Sequence, residues 1–130
     1  MKVLVVDDSP AIQRSFGELL ATIPGVTVVG VADDVASAVA RIDALRPDLV
    51  VLDVELRGTD RGLDVLRHVV SEHPAIKVIV VSNFTWAAMR RGLLDAGALA
   101  YFDKGGEFMR ARDWIAQQAL AESNGPPSRE

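Results

Sequence analysis

Polar groups stand directly after four short apolar runs of this chain. Asp7 and Asp8 follow residues 2–6 (KVLVV), Asp53 follows 49–52 (LVVL), Ser82 and Asn83 follow 76–81 (IKVIVV), and Asp103 and Lys104 follow 98–102 (ALAYF). If the runs are strands of one parallel sheet, these groups share the rim where such sheets bind ligands. Three carboxylates gathered there repel one another. A pair about 4 Å apart costs roughly 1 kcal/mol in water and about 4 kcal/mol at an effective dielectric near 20. A small hard dication that takes oxygen ligands and keeps part of its water, Mg2+, suits the donor set Asp7, Asp8 and Asp53. Lys104 adds a fixed positive charge. A carboxylate beside a metal and a lysine can accept a phosphoryl group, because the incoming oxygens meet two cations and the Ser82 hydroxyl already oriented. That chemistry is an aspartyl phosphate.

The elements that must position these groups are legible from periodicity. A fifth apolar run lies at 26–32, and all five runs are continuous in Val, Ile, Leu or Ala, as strands buried on both faces are. Between them apolar residues recur at helical spacing: Ile12, Phe16, Leu19, Leu20 and Ile23; Val35, Ala38, Val39, Ile42 and Leu45; Leu63, Leu66, Val69 and Val70. A fourth helix is predicted from about 86 to 96 and a fifth from about 107 to 121. Ser9-Pro10 supplies a helix cap and a first-turn proline, Pro47 and Pro74 follow helices, and Gly25 and Gly97 sit where helices should end. The fold class is α/β: a five-stranded parallel sheet with five helices on both faces, a flavodoxin-like doubly wound fold with right-handed crossovers. The tail 123–130 (SNGPPSRE) has no apolar anchor and is expected to be disordered.

Composition narrows the functional classes. The chain has 130 residues, 49% of them apolar, which suits one core. A net charge of -4 and the lack of any Lys/Arg run argue against direct nucleic-acid binding. Without cysteine there is no disulfide, thiolate metal site or thiol nucleophile. Residues 1–6 are too short for a signal-peptide core and no apolar run approaches a membrane span, so a cytoplasmic location without membrane insertion is expected.

With this set ordered along the chain, the sequence resembles the receiver domain of bacterial two-component response regulators, of the single-domain, chemotaxis-regulator-like kind. The resemblance covers residues 1–122 and rests on Asp7-Asp8, Asp53 in VVLD, Ser82, and GALAYFDK with Tyr101 and Lys104. It implies that Asp53 takes a phosphoryl group from a phosphohistidine on a partner histidine kinase. It further implies that Asp8 binds Mg2+ directly, Asp7 mainly through water, and Glu55 through its backbone carbonyl. Ser82 and Lys104 would each hold a phosphoryl oxygen, and Tyr101 would turn inward into the space that Ser82 vacates. The face made by the fourth helix, fifth strand and fifth helix would then change, altering binding to a downstream protein or allowing a homodimer. On this reading the chain catalyses only its own phosphoryl transfer and autodephosphorylation.

The family pattern is broken in three places. Arg57 stands where the family has proline, and the following glycine, Gly62, comes nine residues after Asp53 rather than eight. The loop is one residue longer, and Gly58 is expected to take part of its turn. Asn83 replaces a small residue, which implies an altered phosphoryl lifetime, and Gly105-Gly106 replaces a cis proline after Lys104. Asp33 and Asp34 form a second acidic pair and are read as helix caps. His68 and His73 fall near the end of the third helix, away from the acidic rim. Trp86 and Trp114 lie off their apolar stripes, as interface anchors or as packing. Two rival functions stay open. One is a receiver-like adaptor that binds partners without phosphorylation. The other, less favoured, is a Mg2+-dependent phosphatase of the haloacid dehalogenase type, whose D-x-D arrangement VVDDSP lacks.

Overall fold

The computed structural model describes residues 1–83 and 86–123. Strands β1 (Lys2–Val6), β2 (Thr27–Ala32), β3 (Leu49–Leu52), β4 (Lys77–Ser82) and β5 (Ala100–Asp103) pair in parallel in the order β2-β1-β3-β4-β5. Helices α1 (Pro10–Ala21), α2 (Val35–Leu45), α3 (Gly62–Glu72), α4 (Ala87–Asp95) and α5 (Phe108–Ser123) connect and flank them. This is the doubly wound, flavodoxin-like arrangement expected from the alternation.

Successive side chains of a strand point to opposite faces, and both faces here are apolar. Leu4, Val6, Val50, Leu52, Val78 and Val80 meet Ala38 and Ile42 of α2, Val65, Leu66 and Val69 of α3, and Leu93 of α4. Their neighbours Val3, Val5, Leu49, Val51, Ile79 and Val81 meet Phe16 and Leu20 of α1 and Ala111, Ile115 and Ala119 of α5. The continuous apolar runs are thus explained by two cores, one on each side of the sheet.

The helix ends follow local chemistry. Ser9 caps α1, its hydroxyl accepting from the Ile12 N–H at 3.3 Å, with Pro10 in the first turn. Asp34 and Ser37 form a capping box on α2. Asp33 corrects the expectation: its carboxylate pairs with Arg57, and of the two acids it is Asp34 that caps α2. Arg46 ends α2 with φ 48°, a left-handed turn just before Pro47 that nothing in the local sequence announces. Strand β5 starts two residues later than its apolar run. Helix α5 reaches Ser123, so the segment expected as tail begins inside that helix, and 124–130 lie outside the described residues.

Candidate functional site

Sheet register brings the strand-end polar groups together. Val6 pairs with Ala32 and Leu52, and Leu52 pairs with Val80. The backbone carries this alignment one residue further: Asp7 N–H donates to the Ala32 carbonyl at 2.9 Å, and Asp53 N–H to the Val6 carbonyl at 2.9 Å. On the other side Ser82 pairs with Asp103, and the Lys104 N–H donates to the Ser82 carbonyl at 2.9 Å. The carboxylates, the hydroxyl and the ammonium therefore sit on one rim because four strands end in step.

At its centre Lys104 Nζ lies 2.7 Å from Asp7 Oδ2 and 3.0 Å from Asp53 Oδ2. Asp7, Asp53 and Ser82 are buried, whereas Asp8 is exposed. The remaining oxygens are also held: Asp7 Oδ1 accepts from the Ser9 N–H at 2.9 Å, and Asp53 Oδ1 from the Val54 N–H at 2.8 Å. Gln13, unremarked in the sequence, donates to the Asp7 carbonyl at 2.6 Å. Asp8, Asp53, Glu55, Ser82, Asn83 and Lys104 line a cavity of about 480 Å³.

Burial pushes the Asp53 carboxyl above its ordinary range; Lys104 and Ser82 pull it back only in part, and Asp7 adds to the rise. Burial works against the Lys104 ammonium, but the Asp7 hydrogen bond and the Asp53 charge outweigh it and hold the lysine protonated. Lys104 is the counter-charge that makes this acidic rim tolerable. Lys104→Ala should therefore cost about 3 kcal/mol of unfolding free energy in Mg2+-free buffer, since two buried carboxylates lose their cation. Urea denaturation measures it, and adding Mg2+ should recover part of the deficit.

Residues Asp7, Asp8 and Asp53 can each offer one carboxylate oxygen, all within 4.8 Å of one another. An all-oxygen set at this spacing fits a hard dication such as Mg2+. Glu55 sits at the cavity mouth in a loop closed by an antiparallel bridge to Arg61. The bonds that close it run from Leu56 N–H to the Asp60 carbonyl at 3.1 Å and from Gly62 N–H to the Val54 carbonyl at 2.6 Å, so Glu55 itself takes part in neither.

The longer loop has its own fastening. Gly58 turns it at φ 70°, as expected where the proline is missing. The Arg57 N–H donates to the Asp33 carbonyl at 2.9 Å, a bond that a proline there could not make. Asp60 accepts from the Val35 N–H at 2.8 Å, so a loop residue caps the start of α2. These long-range ties leave no signal in local spacing.

Tyr101 is already inward, only 6% exposed, which differs from the outward start implied by the resemblance. The reason is a lid: the Arg90 guanidinium lies 5.0 Å above its ring, and Arg90 also faces Glu107 at 3.7 Å. Among the described residues, the Tyr101 hydroxyl is the one buried side-chain polar atom without a hydrogen-bond partner. Burial raises its pKa, with the neighbouring Ser82 hydroxyl acting the other way. Trp86 is 67% exposed before α4, whereas Trp114 packs partly against the α1–α5 core.

The sequence matches the response regulator receiver domain over residues 3–115. This chain belongs to that family. The receiver domain is 38% identical over 105 residues to the response regulator GacA of Pseudomonas syringae pv. syringae, covering 81% of this chain and 49% of the relative. It is 36% identical to the DNA-binding transcriptional activator DevR/DosR of Mycobacterium tuberculosis, covering 95% of this chain and 58% of that protein. The chain thus spans about half the length of these two relatives. Among solved structures, the response regulator domain of Thermotoga maritima CheB superposes with a TM-score of 0.81 at 26% identity, covering 98% of each chain. Among the described residues of the receiver domain, no helix is long and apolar enough to cross a membrane.

Proposed function

We propose that this receiver domain is a phosphorylation-controlled signalling module in which Asp53 accepts the phosphoryl group of a phosphohistidine on a partner histidine kinase, in the cytoplasm. The observation that carries the reading is Lys104 bridging Asp7 and Asp53 beside Ser82, in a cavity open to an incoming phosphoryl group. An Asp53 oxygen attacks phosphorus, the phosphorus–nitrogen bond breaks, and the departing imidazole takes up a proton. The product is an acyl phosphate. Lys104 already touches Asp53 Oδ2 and can pass to a phosphoryl oxygen placed there; Ser82 can donate to another.

When bound, Mg2+ would neutralise phosphoryl charge. Asp8, exposed to the cavity, suits direct ligation together with Asp53 and the Glu55 carbonyl. Asp7 is buried and does not line the cavity, which suits contact through water. Asn83 lines the same cavity as Asp53, where it would meet water for hydrolysis. The domain turns over no substrate other than its own acyl phosphate.

The output lies on the face of α4, β5 and α5. A Ser82 drawn towards a phosphoryl oxygen changes the surroundings of the Tyr101 hydroxyl, and Tyr101 carries Arg90 of α4 and, through it, Glu107 before α5. A downstream protein or a second copy that binds one state better shifts the balance by that difference in affinity. The inward Tyr101 favours a second reading, a constitutive adaptor whose output face is set without phosphorylation.

Intact mass after incubation with Mg2+ and acetyl phosphate separates the readings. An acid-stable, base-labile phosphate, lost on chelation, is expected. Mg2+ binding without phosphate uptake would establish the adaptor, and steady phosphate release from unrelated monoesters the phosphatase.

A further inference from the structure

A second cluster stands at the opposite end of the sheet, where α2 and α3 finish. Asp43 lies in the last turn of α2, His68 on α3, and His73 is the residue that ends α3. Nε2 of His68 lies 2.8 Å, and Nε2 of His73 2.7 Å, from the same oxygen, Asp43 Oδ1. The two rings stand 5.7 Å apart at 62° to one another, so their nitrogens converge from different directions. All three ligand atoms fall within 4.8 Å.

We propose that Asp43, His68 and His73 form a binding site for a divalent transition metal, Zn2+ by preference over Mg2+, that ties α2 to α3. Two imidazoles and a carboxylate are a borderline-soft donor set suited to zinc and poorly suited to magnesium. Zinc bonds of about 2.0–2.1 Å in a tetrahedron place ligand atoms about 3.3 Å apart, so each nitrogen need retreat from the carboxylate by only about half an ångström. The histidines are mostly covered, with side chains 22% and 10% exposed, while Asp43 is 50% exposed. That gives the ion an entrance and leaves room for water as the fourth ligand. Asp43 lies in the last turn of α2 and His73 is the C-cap of α3, and helix carboxyl termini favour a cation. Arg46, which follows α2, donates through Nε to the Asp43 backbone carbonyl at 3.2 Å. The site is separate from the acidic rim, which lies at the carboxyl ends of the strands.

The test is calorimetric titration of the whole chain with Zn2+, with Mg2+ kept in large excess so that the acidic rim is filled. One equivalent is expected to bind. The pair His68→Gln, His73→Gln should weaken it by about a hundredfold or more, beyond what outer-shell changes cost, while Asp53→Asn should bind Zn2+ as the wild type does. Co2+ in place of Zn2+ should give visible absorption in the wild type and none in the double variant. If circular dichroism shows the double variant unfolded, Asp43→Asn, at a half-exposed carboxylate, carries the same comparison. Equal Zn2+ affinity with and without the histidines, or no binding by the wild type, would overturn the proposal and leave the cluster as two histidines hydrogen-bonded to one carboxylate.

Discussion

Asp53→Asn is expected to take up no phosphoryl group from acetyl phosphate, and in Mg2+-free buffer to melt at a higher temperature than the wild type. Loss of transfer follows from chemistry, since an amide oxygen at this position is a poor nucleophile and Asp7, buried behind Lys104, does not line the cavity that Asp53 lines. The gain in stability follows from linkage. Burial raises the Asp53 carboxyl above its ordinary range, so the folded chain holds this proton more tightly than the unfolded one. Between that ordinary value and the raised one, the folded state binds more protons, and its stability falls as pH rises. Above the window the cost is fully present, and asparagine removes it. Differential scanning calorimetry across acid to neutral pH should therefore show the two proteins converging at low pH and diverging above it. Mg2+ should reverse the order by stabilising the wild type. A variant that still gains phosphate would move the acceptor elsewhere and sink the assignment.

Much of this site was visible in the sequence because the sheet translates spacing into position. Asp7, Asp53 and Lys104 are far apart in the chain, yet each follows a buried apolar run, and parallel strands that pair in register must end on a common rim. Asp34 was legible for a local reason, since a cap and its box are set within four residues. What local spacing does not carry depends on contacts between distant segments. Asp33 and Asp34 look alike in sequence, and only the path of the longer loop, which brings Arg57 to Asp33, gives the first a different partner. Asp60 capping α2, Arg90 covering Tyr101, and the convergence of Asp43 with two histidines of α3 have the same origin. The apolar stripe of α3 also differs from its expected set: Val65 is fully buried and Val70 is exposed, because the Val65, Leu66 and Val69 arc is the one that faces the sheet.

Gly62 shows how the longer loop rejoins the fold, and its substitution should have the largest effect on stability. It opens α3 directly behind Asp53, with its N–H on the Val54 carbonyl at 2.6 Å. A Cβ there would stand 2.1 Å from the Asp53 carbonyl oxygen and 3.1 Å from the Val54 Cα. The obstacle is backbone, which cannot turn aside as a flexible side chain can. Gly62→Ala should therefore cost about 3 kcal/mol or more, at the upper end of overpacking. It should also slow uptake of phosphate, because relief requires moving the Asp53–Val54 peptide that sets the acceptor's carboxylate. Gly58→Ala is the informative contrast. That residue carries φ 70° with open space around its Cβ position, so alanine costs only the strain of a left-handed turn, about 1 kcal/mol. Urea denaturation of the two variants side by side separates steric exclusion from backbone preference. Equal losses at the two positions would mean that α3 shifts freely against β3, and that the nine-residue spacing from Asp53 to Gly62 leaves the acceptor loosely held.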